Sequence, residues 1–209
     1  MRTRVKFCGL TRQEDIKAAV QAGADALGLV LYPKSRRALT LSQACTLSQH
    51  IPAMLSLIAL VVNPSETEVR NIISQLTPHA IQFHGDESPE FCEQFNYPYW
   101  RAVRVGAPGL ETEQQIVDYV RQFSQAQAFL FDSYSTGFGG AGVRFDLSLL
   151  EQAKQILPAE KIIIAGGINA LNISSLSGQF YAVDLSSGIE SEPGVKSAEL
   201  MQQFMQALR

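Results

Sequence analysis

Two side chains able to move a proton stand out because each closes a short apolar run. Cys8 ends Val5-Lys6-Phe7-Cys8 and is followed by Gly9-Leu10-Thr11; Asp132 ends Phe129-Leu130-Phe131-Asp132 and is followed by Ser133. A thiol acts as a base once ionised, and a carboxyl as an acid while it holds its proton. The pair therefore suits a reaction in which one group gives a proton and the other takes one. Each residue also has a plain structural reading. A solitary cysteine is usually a small buried hydrophobe, which is the reading for Cys45 and Cys92 within helical segments. An aspartate at a strand end can cap a helix or pair with Arg104 or Lys6. Position alone does not separate these readings.

Two other segments have the chemistry of anion binding. Ala165-Gly166-Gly167-Ile168-Asn169 and Asp184-Leu185-Ser186-Ser187-Gly188-Ile189 each follow an apolar run with small residues. Glycines let the main chain approach a phosphate, and main-chain N–H groups and serine hydroxyls donate to it. Gly166, Gly167, Ser186, Ser187 and Gly188 are the expected contacts. The stretch Gly137-Phe138-Gly139-Gly140-Ala141-Gly142 matches G-x-G-x-x-G, but Ser133 to Thr136 separate it from the preceding apolar run, and the next run ends in Ala165-Gly166 with no acid to hold a ribose. It reads better as a loop over a sugar phosphate, with Gly140 and Gly142 donating to the anion.

The elements that must position these groups follow from periodicity. Eight apolar, β-rich runs are expected as strands: Arg4–Cys8, Ala26–Leu31, Leu55–Val62, Ala80–Phe83, Tyr99–Val103, Ala128–Asp132, Ile162–Ala165 and Ala182–Leu185. Helical patterns alternate with them near Gln13–Ala22, Leu41–His50, Glu66–Leu76, Pro89–Phe95, Glu113–Phe123, Leu147–Leu157, Asn172–Leu176 and Ser197–Leu208. Thr11 before Glu14 suggests a capping box, Gly23 a helix stop, and Asn63-Pro64-Ser65 a helix start. Strands apolar on both faces, each followed by a helix and with no linker or composition shift, predict an α/β fold, a single-domain (β/α)8 TIM barrel over residues 1–209.

In such a barrel the reacting groups collect at the C-terminal strand ends. That rule gathers Cys8, the segment Tyr32 to Arg37, Asn63, His84, Arg104, Asp132 and both glycine turns at one mouth. The first and sixth strands stand far apart around the ring, so Cys8 and Asp132 face one another across it.

Bulk properties narrow the partners. The 209 residues are 46% hydrophobic and 18% charged, which suits one globular core. A net charge of −3 without a dense basic patch argues against nucleic acid. The longest apolar stretch, around Leu55 to Val62, is far too short to span a bilayer, and no signal-peptide core follows Met1 to Lys6. Three cysteines without a CxxC pair suggest neither a disulfide framework nor a zinc site. A cytoplasmic monomer acting on a small phosphorylated molecule, with no metal, is the expectation.

At this point the residues resemble a family. Lys6-Phe7-Cys8-Gly9-Leu10-Thr11, Gly28 through Arg37, Ile81-Gln82-Phe83-His84-Gly85, Phe131-Asp132, Gly139-Gly140-Ala141-Gly142, Gly166-Gly167-Ile168 and Val183 through Glu190 recur in the order found in phosphoribosylanthranilate isomerases of tryptophan biosynthesis. The resemblance covers essentially the whole chain. Ala141 stands where threonine is usual, and Arg36 where proline often precedes the arginine.

The resemblance implies an Amadori rearrangement of N-(5-phosphoribosyl)anthranilate to 1-(2-carboxyphenylamino)-1-deoxyribulose 5-phosphate. It gives Asp132 the role of general acid, Cys8 that of general base, and Arg37 the anthranilate carboxylate. The aryl amine nitrogen is its own electron sink, so no cofactor is implied. A free cysteine titrates near ~8.5 and an aspartate near ~3.9, so the site has to favour thiolate at one end and a protonated carboxyl at the other. Lys6 is placed to help the first. Indole-glycerol-phosphate synthase, the histidine-pathway isomerase and a non-catalytic phosphate binder are the rivals. His84 has no proton to carry in this scheme and reads as a structural hydrogen bond under the mouth.

Overall fold

The computed structural model describes residues 2–134 and 145–208. Eight parallel strands pair in sequence order and close into a barrel: β1 (Arg4–Cys8), β2 (Ala26–Val30), β3 (Ser56–Val61), β4 (Ala80–Phe83), β5 (Tyr99–Val105), β6 (Ala128–Ser133), β7 (Ile162–Ile164) and β8 (Ala182–Leu185). The seam is β1 against β8, where Lys6 stands opposite Asp184 and Phe7 opposite Leu185.

Alternation along each strand sorts the side chains into two layers. Val5, Phe7, Leu27, Leu29, Phe129 and Phe131 belong to the large core between barrel and helices. The opposite set fills the interior. At its lower end Trp100 of β5 packs among Ala26, Ile58, Ala80, Ala128 and Ala182. One indole takes the volume that the four alanines leave. Above it the lining turns polar, with Lys6, Gln82 and Asp184 all buried.

The helices on the outside are α1 (Gln13–Ala22), α2 (Leu41–Ser48), α3 (Glu66–Asn71), α4 (Pro89–Glu93), α5 (Glu113–Gln122), α6 (Glu151–Ile156) and α7 (Ala198–Ala207). Thr40, Ser65, Ser88, Thr112 and Ser197 cap their helices by accepting main-chain N–H groups. Gly23 ends α1 in the left-handed region at φ 92°, as its position predicts. Among the described residues, no helix is long and apolar enough to cross a membrane.

Four local expectations are corrected, and one element was not foreseen. Thr11 does not cap α1: Arg12 is the capping residue, and the Asp15 carboxylate accepts from the N–H groups of Thr11 and Arg12. Asp15 beats Glu14 because the third helical position, not the second, points back at the orphan donors. The segment expected as one helix to Leu76 finishes in a π-turn, Ile72–Leu76, and the one from Leu147 starts as a 3-10 turn, Leu147–Leu150. Strand β7 is followed only by a 3-10 turn, Ile173–Ser175. Finally, between β8 and α7 lies an unforeseen hairpin, β9 (Glu190–Glu192) with β10 (Val195–Lys196), turning at Pro193-Gly194.

Candidate active site

Cys8, Arg37, His84, Asp132 and Asp184 border one small cavity at the C-terminal mouth of the barrel. Cys8 lies on the same inward face of β1 as Lys6, two residues earlier, because strand side chains alternate. Gly28 stands opposite Cys8 on β2. A Cβ there would lie 2.7 Å from the Cys8 sulfur and 3.0 Å from Lys6 Cε, so this glycine leaves the room that both side chains occupy.

The Lys6 ammonium donates to Asp184 Oδ1 at 2.8 Å, with both side chains buried. Burial pushes the Cys8 thiol up, and the neighbouring Lys6 charge and hydrogen bond pull it back; the balance lies above the ordinary thiol value. Lys6 itself stays charged. Burial favours its neutral amine, but Asp184 and Cys8 together hold its pKa above the usual lysine range.

Asp132 pairs with neither Arg104 nor Lys6, the partners that its structural reading offered. Arg104 bonds to Asp86, and Lys6 to Asp184. Instead Asp132 Oδ1 accepts its neighbour Ser133 N–H at 2.9 Å, and Oδ2 lies 3.4 Å from His84 Nε2. His84 does have the structural hydrogen bond foreseen for it: Nδ1 lies 3.1 Å from the Gln82 amide nitrogen, inside the barrel. Its Nε2 makes no hydrogen bond among the described residues and turns toward Asp132.

The two glycine turns lie side by side. Gly166, Gly167, Ser186 and Ser187 line a second small cavity, shared with Asp132 and Asp184. Gly166 has φ 82°, and a Cβ on it would sit 2.3 Å from Ser133 Oγ and 3.0 Å from Asp132 Oδ1. On Gly188 a Cβ would lie 2.0 Å from the Ile168 carbonyl oxygen, so one turn presses directly on the other. The backbone and hydroxyl donors therefore converge within reach of the acid. Gly140 and Gly142, the other expected anion contacts, lie outside the described residues.

Arg37 reaches the mouth across Gly9, whose Cβ position its Cδ would meet at 2.3 Å. Its guanidinium is held bidentately: Nε and NH2 donate to the two Glu190 oxygens at 2.6 and 2.8 Å. That hydrogen bonding raises the arginine pKa further. Lys196 donates to the same carboxylate at 2.7 Å. Sequence reasoning missed Lys6–Asp184 as a pair and gave Glu190 and Lys196 no role. The Pro193-Gly194 dipeptide between two charged, extended stretches is the signal that marks the hairpin.

Cys45 is half-buried on α2 and Cys92 buried on α4, away from the mouth. Burial lifts the Cys92 thiol to about 12, which keeps it inert at neutral pH.

Comparison with known proteins finds similarity over nearly the whole chain. The profile of the family described as N-(5'phosphoribosyl)anthranilate (PRA) isomerase matches residues 5–207. An N-(5'-phosphoribosyl)anthranilate isomerase of Bordetella avium is 45% identical, covering 100% of this chain and 96% of its own. One from Legionella pneumophila is 40% identical over 99% and 97%. Among solved structures, phosphoribosyl anthranilate isomerase from Thermotoga maritima superposes with a TM-score of 0.87 at 30% identity, covering 99% of this chain and 98% of that one. An isomerase in complex with reduced 1-(o-carboxyphenylamino)-1-deoxyribulose 5-phosphate gives 0.83 at 28% identity, with the same coverage. With the family profile matching residues 5–207 and a 45% identical relative matching the full length, this chain belongs to the N-(5'-phosphoribosyl)anthranilate isomerase family.

Proposed function

We propose that this chain, as one catalytic domain over residues 1–209, converts N-(5-phosphoribosyl)anthranilate to 1-(2-carboxyphenylamino)-1-deoxyribulose 5-phosphate in tryptophan biosynthesis, with Asp132 as general acid and Cys8 as general base. The observation that carries the residue roles is that Cys8, Asp132 and Arg37 border one cavity, with the Gly166-Gly167 and Ser186-Ser187 turns at its side.

The protonated Asp132 carboxyl gives its proton to the furanose ring oxygen as the C1–O bond breaks, and the amine lone pair forms the C=N bond of a Schiff base. The Cys8 thiolate, favoured by Lys6, then removes the C2 proton. The electrons of that C–H bond form the C1–C2 double bond of an enolamine, and the C=N pair returns to nitrogen. Tautomerisation of the enol to the ketone completes the rearrangement. Arg37 holds the anthranilate carboxylate. Main-chain N–H groups of Gly166, Gly167, Ser186, Ser187 and Gly188, with the hydroxyl of Ser187, hold the phosphate; the Ser186 hydroxyl proton is already given to the Cys8 carbonyl. His84 Nε2, at 3.4 Å from Asp132, is placed to steady the carboxylate left when the proton departs.

The reaction is one that acid, base and electron sink complete without any added group. A monomer is the reading for its assembly, because exposed large apolar side chains such as Met54 and Leu171 lie in separate loops and Ile156 on α6, and the cytoplasm is the expected compartment. Sedimentation reads the assembly state directly.

The test is loss of substrate fluorescence with freshly made phosphoribosylanthranilate. Cys8→Ala and Asp132→Asn are each expected to abolish turnover while circular dichroism and phosphate binding stay unchanged. A variant that kept near-wild-type kcat would remove its residue from the mechanism.

A further inference from the structure

Arg37 meets the cavity while already bound to a carboxylate. Glu190 takes its Nε–NH2 edge at 2.6 and 2.8 Å, and an arginine and a glutamate so paired are together neutral. A neutral pair is a poor receptor for an anionic carboxylate. The third member of the cluster removes the difficulty. Lys196 Nζ, with its side chain 0% exposed, donates to Glu190 Oε1 at 2.7 Å, to the Ser186 carbonyl at 2.9 Å and to Ser186 Oγ at 3.2 Å. Three acceptors around one nitrogen use the three protons of the ammonium form. The cluster therefore carries one net positive charge; Arg37 borders the mouth cavity, and its NH1 makes no hydrogen bond among the described residues.

We propose that Lys196 is a specificity-determining residue: by neutralising Glu190 it leaves Arg37 with an uncompensated charge and a free NH1–NH2 edge for the ortho carboxylate of the substrate's aromatic ring. Glu190 orients the guanidinium, Lys196 supplies the charge balance, and Arg37 makes the contact. The hairpin is what delivers both partners. Glu190 on β9 and Lys196 on β10 stand opposite each other in its register, and its turn residue Gly194 packs against the Arg36 carbonyl beside Arg37. The same lysine continues into the catalytic wall, since Ser186 Oγ, which accepts from it, donates to the Cys8 carbonyl. Burial lowers the Lys196 pKa below the usual lysine value, partly offset by its contact with Glu190; the three acceptors around Nζ are what hold the ammonium form.

The inference rests on Arg37 as the carboxylate site, so the experiment separates the two. Binding is measured by calorimetry at neutral pH and low salt with two unreactive probes. One is reduced 1-(o-carboxyphenylamino)-1-deoxyribulose 5-phosphate; the other is its aniline counterpart without the carboxylate. The quantity of interest is the preference for the first over the second. Lys196→Met leaves Glu190 paired with Arg37, so no charge is orphaned, and the preference is expected to fall roughly tenfold for loss of one charge a few ångströms from the ligand. Affinity for the aniline probe stays the same. In turnover, KM rises by a similar factor while kcat changes much less.

The double variant Glu190→Gln with Lys196→Met restores the net positive charge and is expected to regain most of the preference, which a purely structural role for Lys196 would not produce. An undiminished preference in Lys196→Met, or a double variant no better than the single, overturns the proposal. Arg37→Met is the control. If it keeps the preference, the carboxylate is not on Arg37 and both readings fall; if it loses the preference while Lys196→Met keeps it, only the Lys196 inference falls.

Discussion

Lys6→Met isolates what the buried lysine does for Cys8. Lys6 and Asp184 are register partners across the β1–β8 seam, 2.8 Å apart, with side chains 3% and 9% exposed. Methionine keeps the length of the stem and removes the charge, so the Asp184 carboxylate loses its cation. Removing one side of a buried pair costs about 3–5 kcal/mol, and the lower end applies here because Asp184 also borders the mouth cavity. The second consequence is chemical. Burial already pushes the Cys8 thiol up, and the Lys6 charge is the largest influence holding it down. An opposite charge at such range is worth about one decade in ionisation or more, so the variant should hold about tenfold less thiolate at a given pH.

Stability is read by urea denaturation at pH 7. Thiolate is read by the iodoacetamide alkylation rate of Cys8 against pH, followed by mass spectrometry of its peptide so that Cys45 and Cys92 do not contribute. The alkylation profile should move to higher pH and kcat should fall with it, with KM nearly constant. Adding Asp184→Asn should recover most of the lost stability. If Lys6→Met lost stability and activity while Cys8 alkylated with an unchanged pH profile, Lys6 would be structural and its proposed influence on the base would be refuted.

Gly188→Ala should separate the two phosphate turns, because its Cβ would stand 2.0 Å from the Ile168 carbonyl oxygen; inhibition by inorganic phosphate should weaken, and an unchanged inhibition constant would argue against these turns as the anion site. Arg101→Met should destabilise by about 3–5 kcal/mol in urea. Arg101 is buried on Glu87 at 2.6 Å, and Glu87 in turn accepts from the main chain of Asn63 and Gly85, so the β3 and β4 loops share the loss. Adding Glu87→Met should return part of that stability. Stability should also fall as pH rises above 9. The unfolded Cys8 and Cys92 thiols ionise at ~8.5, whereas the folded ones, both raised and Cys92 to about 12, keep their protons. The folded state then binds more protons and loses stability with increasing pH. Lys6, raised, acts in the same sense and Lys196, lowered, in the opposite one. A urea midpoint that rose between pH 8.5 and 10.5 would contradict this sum.

The strands were legible because both faces of each are covered, which makes every one a near-continuous apolar run bounded by polar turns. Seven of the eight expected starts coincide with the observed ones; only β3 begins one residue later, at Ser56 rather than Leu55. Helices were less so. The cap of α1 depends on which of two adjacent acids points back, and the element after β7 shrinks to one 3-10 turn because Asn172 and Asn169 satisfy the local main chain with side-chain bonds. The side chains at the mouth followed from strand order and alternation: a residue closing an apolar run must stand at the rim, as Cys8, His84 and Asp132 do.

By itself the sequence determined the barrel, the mouth and the chemical types gathered there, since these depend on periodicity within short windows. It did not determine who pairs with whom. Lys6 meets Asp184 across 178 residues and Arg37 meets Glu190 across 153, contacts that exist only because β8 closes against β1 and the hairpin after it folds over the β2 loop. Whether the thiol at the mouth is helped to ionise, and whether Arg37 faces the cavity charged or neutralised, are properties of those long-range pairs. Charge compensation is a matter of a few ångströms in space, and only closure of the barrel sets that distance.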